Sequence, residues 1–171
     1  MDCRHIQFRF HEEFTQENNR PNIDLQQLQT LFQICAFWAR RRNIEDLEIA
    51  IANSDPVVGV WDGEQLIGFA RATSDGIYRG TIWDVVIHPD YRGAGLGSKL
   101  VETVLSHPRL SRVERIYLMT TYQQNFYERI GFQPNQTTTM VLHNSYSGYP
   151  LSAQESPSQQ NQEESKAPSI L

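Results

Sequence analysis

The stretch that decides the fold is IWDVVIHPDYRGAGLG, residues 82–97. It begins with an apolar run typical of a buried strand, passes through a loop that contains Pro89, and ends in three glycines at every second position. An apolar stripe with helical spacing follows, over 97–106. Glycines between a strand and a helix let backbone N–H groups approach an anion, and the helix N-terminus adds partial positive charge. Because Arg92 adds a full charge beside them, the segment predicts a phosphate-binding loop.

Two common nucleotide-binding loops do not fit this segment. A P-loop needs Gly-Lys-Ser/Thr where the helix begins, whereas the order here is Gly97-Ser98-Lys99. A dinucleotide-binding fingerprint places its third glycine three residues after the second and follows its strand directly. Here the glycines are two residues apart and come after a proline-bearing loop. A plain glycine turn at a helix entry remains the structural alternative.

Hydrophobic periodicity predicts the other elements, working outward from this stretch. Alternation over 5–10 indicates a half-buried strand, and apolar residues three and four apart over 24–38 and 44–52 indicate two amphipathic helices. The other predicted elements are strands over 56–61, 65–73, 80–88 and 115–119, a short helix over 125–130, and final strand pieces at Phe132 and 138–142. This order predicts an α/β domain with a mixed sheet, because the regular βαβ alternation of a doubly wound fold is absent.

The chain is predicted to consist of one domain and a tail. Of its 171 residues, 39% are hydrophobic and 11% aromatic, which is enough to form a core. We assign 1–143 to the domain. Ser, Gln, Glu and Pro dominate most of 144–171, and such a segment buries too little apolar surface to offset its ordering entropy. We therefore expect the tail to be disordered.

Composition and charge argue against several functional classes. A net charge of −5 is unlike the basic surface of a general nucleic-acid binder. Two cysteines are too few for a disulfide framework, and no Cys/His cluster has the spacing of a metal site. No apolar run approaches the roughly 20 residues that span a bilayer, and the N-terminus lacks the apolar core of a secretory signal. We expect a cytoplasmic protein, or a stromal one if the chain is plastid-encoded, with no metal, nucleic-acid partner or membrane span.

Two segments together resemble the motifs of the GNAT superfamily of acyl-CoA N-acyltransferases. The family's cofactor motif is Gln/Arg-x-x-Gly-x-Gly/Ala, which Arg92, Gly95 and Gly97 match. Residues 125–132, NFYERIGF, are similar to the family's second motif, a short aromatic-rich helix that ends in Gly-Phe. The resemblance extends over 6–142, and within the family the chain looks most like the plastid and cyanobacterial acetyltransferases.

The resemblance implies a fold and a set of cofactor-binding residues. The fold is a single α/β (α+β) domain whose mixed, mostly antiparallel sheet has a splayed centre and flanking helices. The cosubstrate is acetyl-CoA, and no metal is implied. Backbone groups would bind the pantetheine arm, the glycine segment would hold the pyrophosphate, Asn125 would reach the cofactor and Tyr127 would lie near its sulfur. The residues implied for the pantetheine arm are Val85, Val86 and Ile87. Those implied for the pyrophosphate are Arg92, Gly93, Ala94, Gly95, Leu96 and Gly97.

Two side chains are candidates for the proton transfers that direct acetylation requires. The departing thiolate needs a proton, and a tyrosine hydroxyl with an ordinary pKa of about 10 can donate one. Within the second motif, Tyr127 is the predicted acid. Asp84 is a carboxylate in an otherwise apolar strand, so it is the candidate that orients or deprotonates the amine; a core hydrogen bond or a solvated strand end is the alternative. The strand over 115–119 holds no acid, where some relatives carry a glutamate.

The predicted reaction is acetyl transfer to an amine. The plastid relatives imply protein lysines, protein N-termini or arylalkylamines as acceptors, and the negative net charge mildly favours a cationic one. Four aromatic residues are placed either in an acceptor pocket or in the core: Phe37, Trp38, Trp83 and Tyr122. A CoA-binding regulatory or assembly module without catalysis is the alternative function, and a monomer or homodimer is expected.

Overall fold

The computed structural model describes residues 5–11, 23–137 and 139–142. The sheet contains β1 (Ile6–Phe10), β2 (Val57–Asp62), β3 (Gln65–Ser74), β4 (Arg79–Ile87) and β5 (Arg115–Tyr117). The α-helices are α1 (Leu25–Cys35), α2 (Ile44–Ala52), α3 (Leu96–Ser106) and α4 (Gln124–Arg129), and short 3₁₀ turns cover Phe37–Ala39 and Pro89–Tyr91.

The strands form one sheet in the order β1-β2-β3-β4-β5. The first three pairings are antiparallel, and β4 and β5 are parallel. The Asp62-Gly63 turn joins β2 to β3, and Gly63 adopts a φ of 58° that suits a residue without a Cβ. The prediction of a mixed, mostly antiparallel sheet is confirmed.

Each face of the sheet packs against helices whose apolar stripes the periodicity predicted. On one face, α1 buries Leu28, Leu31 and Phe32 together with Phe69 of β3. On the other face, the apolar side of α3 packs against β3 and β4, with Val104 fully buried. Both helices that precede β2 begin at a polar cap: the side chain of Asp24 accepts from Gln26 and Gln27, and Asn43 accepts from Asp46. The two helical layers therefore hold β4 between them.

The sheet splays where β4 leaves β5. The parallel pairing ends at Thr81 and Tyr117, although β4 continues for six more residues to Ile87. In the described part of the chain, β3 pairs with one edge of that continuation, and no strand pairs with the opposite edge, which β5 leaves. The predicted splayed centre is thus confirmed, and it opens next to the stretch quoted above.

Three elements differ from the predictions by more than one residue. The predicted helix over 24–38 stops at Cys35 because Ala36 is extended, with φ −128° and ψ 93°, and a 3₁₀ turn continues. The strand predicted over 115–119 ends at Tyr117. The final strand is wrong for the residues described: neither Phe132 nor 139–142 pairs with the sheet, and Met140 and Leu142 remain 91% and 93% exposed.

The proposed tail, 144–171, lies outside the described residues, and so does the proposed domain boundary at 143. Among the residues described, no helix has the length and apolarity to cross a membrane.

Candidate active site

A cleft of about 580 Å³ lies at the splay of the sheet. Its walls come from the first half of the free β4 segment, from the turn between α1 and α2, and from the loop between β5 and α4. The lining residues are Phe37, Trp38, Arg42, Ile82, Trp83, Asp84, Val85, Leu118, Met119, Thr120, Thr121, Tyr122, Gln123 and Tyr127. The sequence left open whether four aromatic residues lie in a pocket or in the core, and all four line the cleft.

At the end of β4, backbone groups rather than side chains face the edge that points away from β3. The side chains of Val85, Val86 and Ile87 are all buried. His88 N–H donates to Ile67 O at 2.7 Å, so Ile87 and Gly68 form a non-hydrogen-bonded pair whose own N–H and C=O groups point away from β3. By the same alternation, Val85 directs its main chain to the open edge, whereas Val86 pairs with Phe69.

Asp84 forms an irregularity in β4. The β3–β4 register shifts between Phe69 and Arg71, and Asp84 has a φ of 58°. A non-glycine residue in this region costs of order 1–3 kcal/mol of backbone strain and persists where its surroundings fix it. Here the fixing contacts are ionic: the Oδ2 atom of Asp84 lies 2.8 Å from Arg42 Nη1 and 2.7 Å from Arg71 Nε. Arg71 also donates to Ser54 Oγ at 3.0 Å.

The ion pairs determine the charge state of Asp84. Its side chain is only 5% exposed, and burial alone would raise the pKa of the carboxyl. Hydrogen bonds and positive charge from Arg42 and Arg71 outweigh that effect and hold the pKa below its ordinary value. Asp84 is therefore an ionised carboxylate with a doubly occupied oxygen, which makes it a weak proton acceptor near neutral pH.

The same irregularity changes which residues share a face of β4. Simple alternation places Asp84 and Val86 opposite Trp83, Val85 and Ile87. In the structure, Val85 and Ile87 do lie in the core opposite to that of Val86. Trp83, however, lies on the Asp84 side, since both contact Arg71: the Arg71 guanidinium is 5.7 Å from the Trp83 ring centroid. The alternation prediction is wrong for Trp83 because the bulge inserts one residue.

Tyr127 lines the opposite wall of the cleft from α4. Its ring packs edge-on between Phe126 and Phe132, at centroid distances of 4.9 and 5.9 Å. The residue is 7% exposed, and burial raises the pKa of its hydroxyl. The hydroxyl thus stays protonated through the physiological range and can donate a proton. Asn125, on the same short helix, is exposed and is not among the residues that line the cleft.

The glycine segment has the local geometry of an anion-binding turn. Gly93 and Gly95 have φ of 78° and 79°, and a Cβ at either position would meet open space. Gly95 caps α3, whose first N–H groups have no partner within the helix. Leu96 is buried in the core and fixes the start of the helix, while Gly93, Ala94 and Gly95 are exposed. Exposed N–H groups at a helix start are suited to a phosphate.

Arg92 connects this loop to the end of β4. Its Nε donates to Ile87 O at 3.0 Å, and the Cys35 thiol lies 3.6 Å from the same oxygen. Burial raises the pKa of that thiol, with Arg92 acting in the opposite direction. The Ile87 carbonyl is therefore occupied, and the Ile87 N–H is the group left on the open edge.

The sequence reasoning missed Arg71 and the site role of Arg42. Arg71 lies in β3, where its neighbours Ala70 and Ala72 are fully buried. A lone cation between buried residues of a strand is a signal that it pairs with a carboxylate. Arg42 directly follows the exposed Arg40 and Arg41, and the sequence offered no signal that distinguishes it from them.

Comparison with known proteins identifies the family to which this sequence is similar. The profile of the Acetyltransferase (GNAT) family matches residues 13–132. The uncharacterized N-acetyltransferase ycf52 of Pyropia yezoensis is 34% identical over 120 residues, which cover 67% of this chain and 68% of that protein. The uncharacterized N-acetyltransferase ycf52-like protein of Prochlorococcus marinus is 43% identical over 100 residues, covering 56% of this chain and 54% of that protein. The chain thus spans from about half to two thirds of the length of these curated relatives.

Solved structures share the architecture. A putative acetyltransferase of the GNAT family from Xanthomonas campestris has a TM-score of 0.67 and 25% identity, covering 84% of this chain and 97% of that chain. The structure of AAC(6')-Iy in complex with the bisubstrate analogue CoA-S-monomethyl-acetylneamine has a TM-score of 0.61 over 82% of this chain and 99% of that chain. At 15% identity, that likeness shows the fold alone.

Proposed function

The chain belongs to the GNAT family of acetyltransferases and is therefore an acyl-CoA N-acyltransferase, and we propose that it transfers acetyl from acetyl-CoA directly to an amine. The observation that carries the proposal is the layout along β4. An open main-chain edge at Val85 and Ile87 has the aromatic cleft at one end and the glycine loop at the other.

This layout suits the parts of acetyl-CoA. Backbone N–H groups from Gly93 to Gly97, of which residues 93–95 are exposed, and the charge of Arg92 would hold the pyrophosphate. The open edge beside Val85 and Ile87 would take the amide-bearing pantetheine arm as an added strand. The thioester would then lie in the cleft, between Asp84 and Tyr127, both of which line it.

The chemistry requires one proton donor on the thiolate side. The amine nitrogen attacks the thioester carbonyl, a C–N bond forms, and the C–S bond breaks. The Tyr127 hydroxyl gives its proton to the departing sulfur, and the excess proton of the acetylated amine leaves to solvent, from which Tyr127 is reprotonated. Because burial raises the pKa of Tyr127, this hydroxyl is protonated whenever the cosubstrate arrives.

In this scheme Asp84 positions the backbone and does not transfer a proton. Its lowered pKa makes it a poor base, but the bulge that it forms turns the Val85 main chain to the open edge. We therefore propose that Asp84 positions the open edge, a role different from orienting or deprotonating the amine. Asn125 is exposed on α4 and would contact a peripheral part of the cofactor.

One observation supports a second function, a CoA-binding module without catalysis. Among the described residues that line the cleft, Asp84 is the sole carboxylate, and two arginines occupy it. An amine that arrives protonated would find no unpaired base there. Two relatives from Arabidopsis thaliana that are named chloroplastic support a plastid setting for either function.

The test is release of free thiol from acetyl-CoA by the purified full chain, with lysine peptides, peptides with free N-termini, arylalkylamines and amino acids as acceptors. We expect turnover with at least one class. Arg92→Ala should raise the KM for acetyl-CoA, whereas Arg112→Ala, at an exposed position away from the loop, should not. Thermal stabilisation by acetyl-CoA without any thiol release would favour the binding module instead.

A further inference from the structure

The cleft carries a local positive charge although the whole chain is negative. Its charged lining residues, within the described part of the chain, are Arg42 and Asp84. Asp84 is bound by both Arg42 and Arg71, so two guanidinium groups share one carboxylate. The side chain of Arg42 is 31% exposed, against 5% for Asp84. The charge that an incoming acceptor meets is therefore the guanidinium.

Arg42 is held in place for this contact. Its guanidinium lies 5.4 Å from the ring centroid of Phe32, and its Nη1 bonds Asp84. Its backbone carbonyl accepts from Gln29 Nε2 at 3.0 Å. A guanidinium has five N–H donors in a planar fork that matches a carboxylate. With one nitrogen on Asp84 and part of the group exposed, Arg42 retains donors for a second anion.

Apolar and aromatic side chains surround this cation. Trp38 and Tyr122 are 43% and 47% exposed at the cleft, and Met119 is 62% exposed. Exposed aromatic side chains on a concave surface favour a flat apolar ligand group. A polyamine or a lysine side chain would instead meet the Arg42 charge and find no unpaired carboxylate among the described lining residues.

We propose that the acceptor is an aromatic α-amino acid, whose carboxylate pairs with Arg42 and whose ring lies against Trp38 and Tyr122; this rests on the acetyltransferase function proposed above. The position of the amine supports the assignment. Arg42 bonds Asp84, and the thioester would lie in the cleft between Asp84 and Tyr127. In an α-amino acid, one carbon separates the amine from the carboxylate. A carboxylate on Arg42 therefore places the amine beside the acetyl group.

The test compares acceptors that differ only in the carboxylate. The full chain is assayed for thiol release with tryptophan, tryptamine and tryptophanamide, and with phenylalanine and phenethylamine. We expect kcat/KM for each amino acid to exceed that for its decarboxylated partner about tenfold or more, since a charge-assisted bidentate bond is among the stronger polar contacts. Tryptophanamide, which keeps the shape and loses the charge, should behave like tryptamine.

Variants assign the preference to Arg42. Arg42→Gln should abolish the difference within each pair, Arg42→Lys should retain part of it, and the matched control Arg40→Gln, at an exposed neighbouring position, should leave it unchanged. If Arg42→Gln does not fold, the ratio of tryptophan to tryptophanamide in the wild-type chain still decides. Equal or faster turnover of tryptamine would overturn the amino-acid assignment while the acetyltransferase function stands. Failure to acetylate any amine by a folded chain would overturn both.

Discussion

At the scale of single residues, the cleft separates two groups that could move protons. Burial raises the pKa of Tyr127, and although burial opposes it, contact with Arg42 and Arg71 lowers the pKa of Asp84. Near neutral pH the Tyr127 hydroxyl is therefore protonated and the Asp84 carboxyl is ionised. On this ground we propose thiolate protonation for Tyr127 and structural positioning for Asp84.

Replacing the tyrosine tests the acid. Tyr127→Phe keeps the ring packing against Phe126 and Phe132 and removes the hydroxyl, so we expect kcat to fall about 100-fold or more, in the range of general acid catalysis, with little change in KM for acetyl-CoA. Steady-state kinetics would measure both. Tyr78→Phe is the matched control, because Tyr78 is 62% exposed on the β3–β4 hairpin. A loss of affinity without a loss of kcat would show that Tyr127 packs and does not react.

The pH dependence of kcat gives a second test of the same residue. The ordinary pKa of a tyrosine hydroxyl is about 10. Because the pKa of Tyr127 is raised, its hydroxyl is still protonated at that pH and loses its proton only at a higher one. We expect no descending limb in the kcat profile between about pH 8 and pH 10. A descending limb in that interval which disappears in Tyr127→Phe would contradict the raised pKa.

The ion pairs of Asp84 predict a contribution to stability. Burial opposes ionisation, but the two arginines hold the folded pKa below the unfolded value of about 3.9. The stabilisation is thus fully present above that value and is lost as the pH falls through the folded pKa. Asp84→Asn leaves two cations unpaired, so we expect the free energy of unfolding at neutral pH to fall by about 3 kcal/mol. Urea titration would measure it, with Asp90→Asn as the exposed control; equal stabilities would mean that the pairs add nothing.

At the scale of elements, we propose that the loop between β4 and α3 determines where acetyl-CoA binds. Its glycines have left-handed backbone conformations that place N–H groups on the surface. Gly63, in the β2–β3 turn, has a similar conformation with equally open surroundings and lies outside the glycine segment. The two positions therefore form a matched pair.

Alanine at the two glycines separates strain from binding. Gly95→Ala and Gly63→Ala should each lower the free energy of unfolding by about 1 kcal/mol, since alanine is strained at positive φ. Only Gly95→Ala should also weaken acetyl-CoA binding, by several-fold in calorimetric titration. Unchanged affinity in Gly95→Ala would show that this segment is a turn and not a phosphate-binding loop.

The elements also show how far sequence reasoning extends. Strands and helices with a clear period, such as β1, α2 and α3, were predicted with small boundary errors. The bulge at Asp84 was missed because its cause is a contact with Arg71, which is remote in sequence, and strict alternation cannot register an inserted residue. Arg42 was missed as a cleft residue for the same reason: the three arginines 40–42 look alike, and only the extended Ala36 and the following 3₁₀ turn direct one of them inward.

At the scale of the whole molecule, the site depends on the splay of a five-stranded sheet. Three antiparallel pairings hold β4 from one side, and a short parallel pairing with β5 leaves most of its other edge open. The net charge of −5 suggested a cationic acceptor, but the charges that line the cleft are those of Arg42 and its shared carboxylate. Charge averaged over a chain is therefore a poor guide to a site whose own residues are ion-paired.

The measurement that tests the central claim most directly is mass spectrometry of the acceptor after incubation with the full chain and acetyl-CoA, with fragmentation to locate the added group. We predict one acetyl group on the amine nitrogen, formed in step with free CoA and lost in Tyr127→Phe but not in Tyr78→Phe. Acetyl-CoA that binds yet stays intact with every amine, or a product whose formation is unaffected by Tyr127→Phe, would contradict the account.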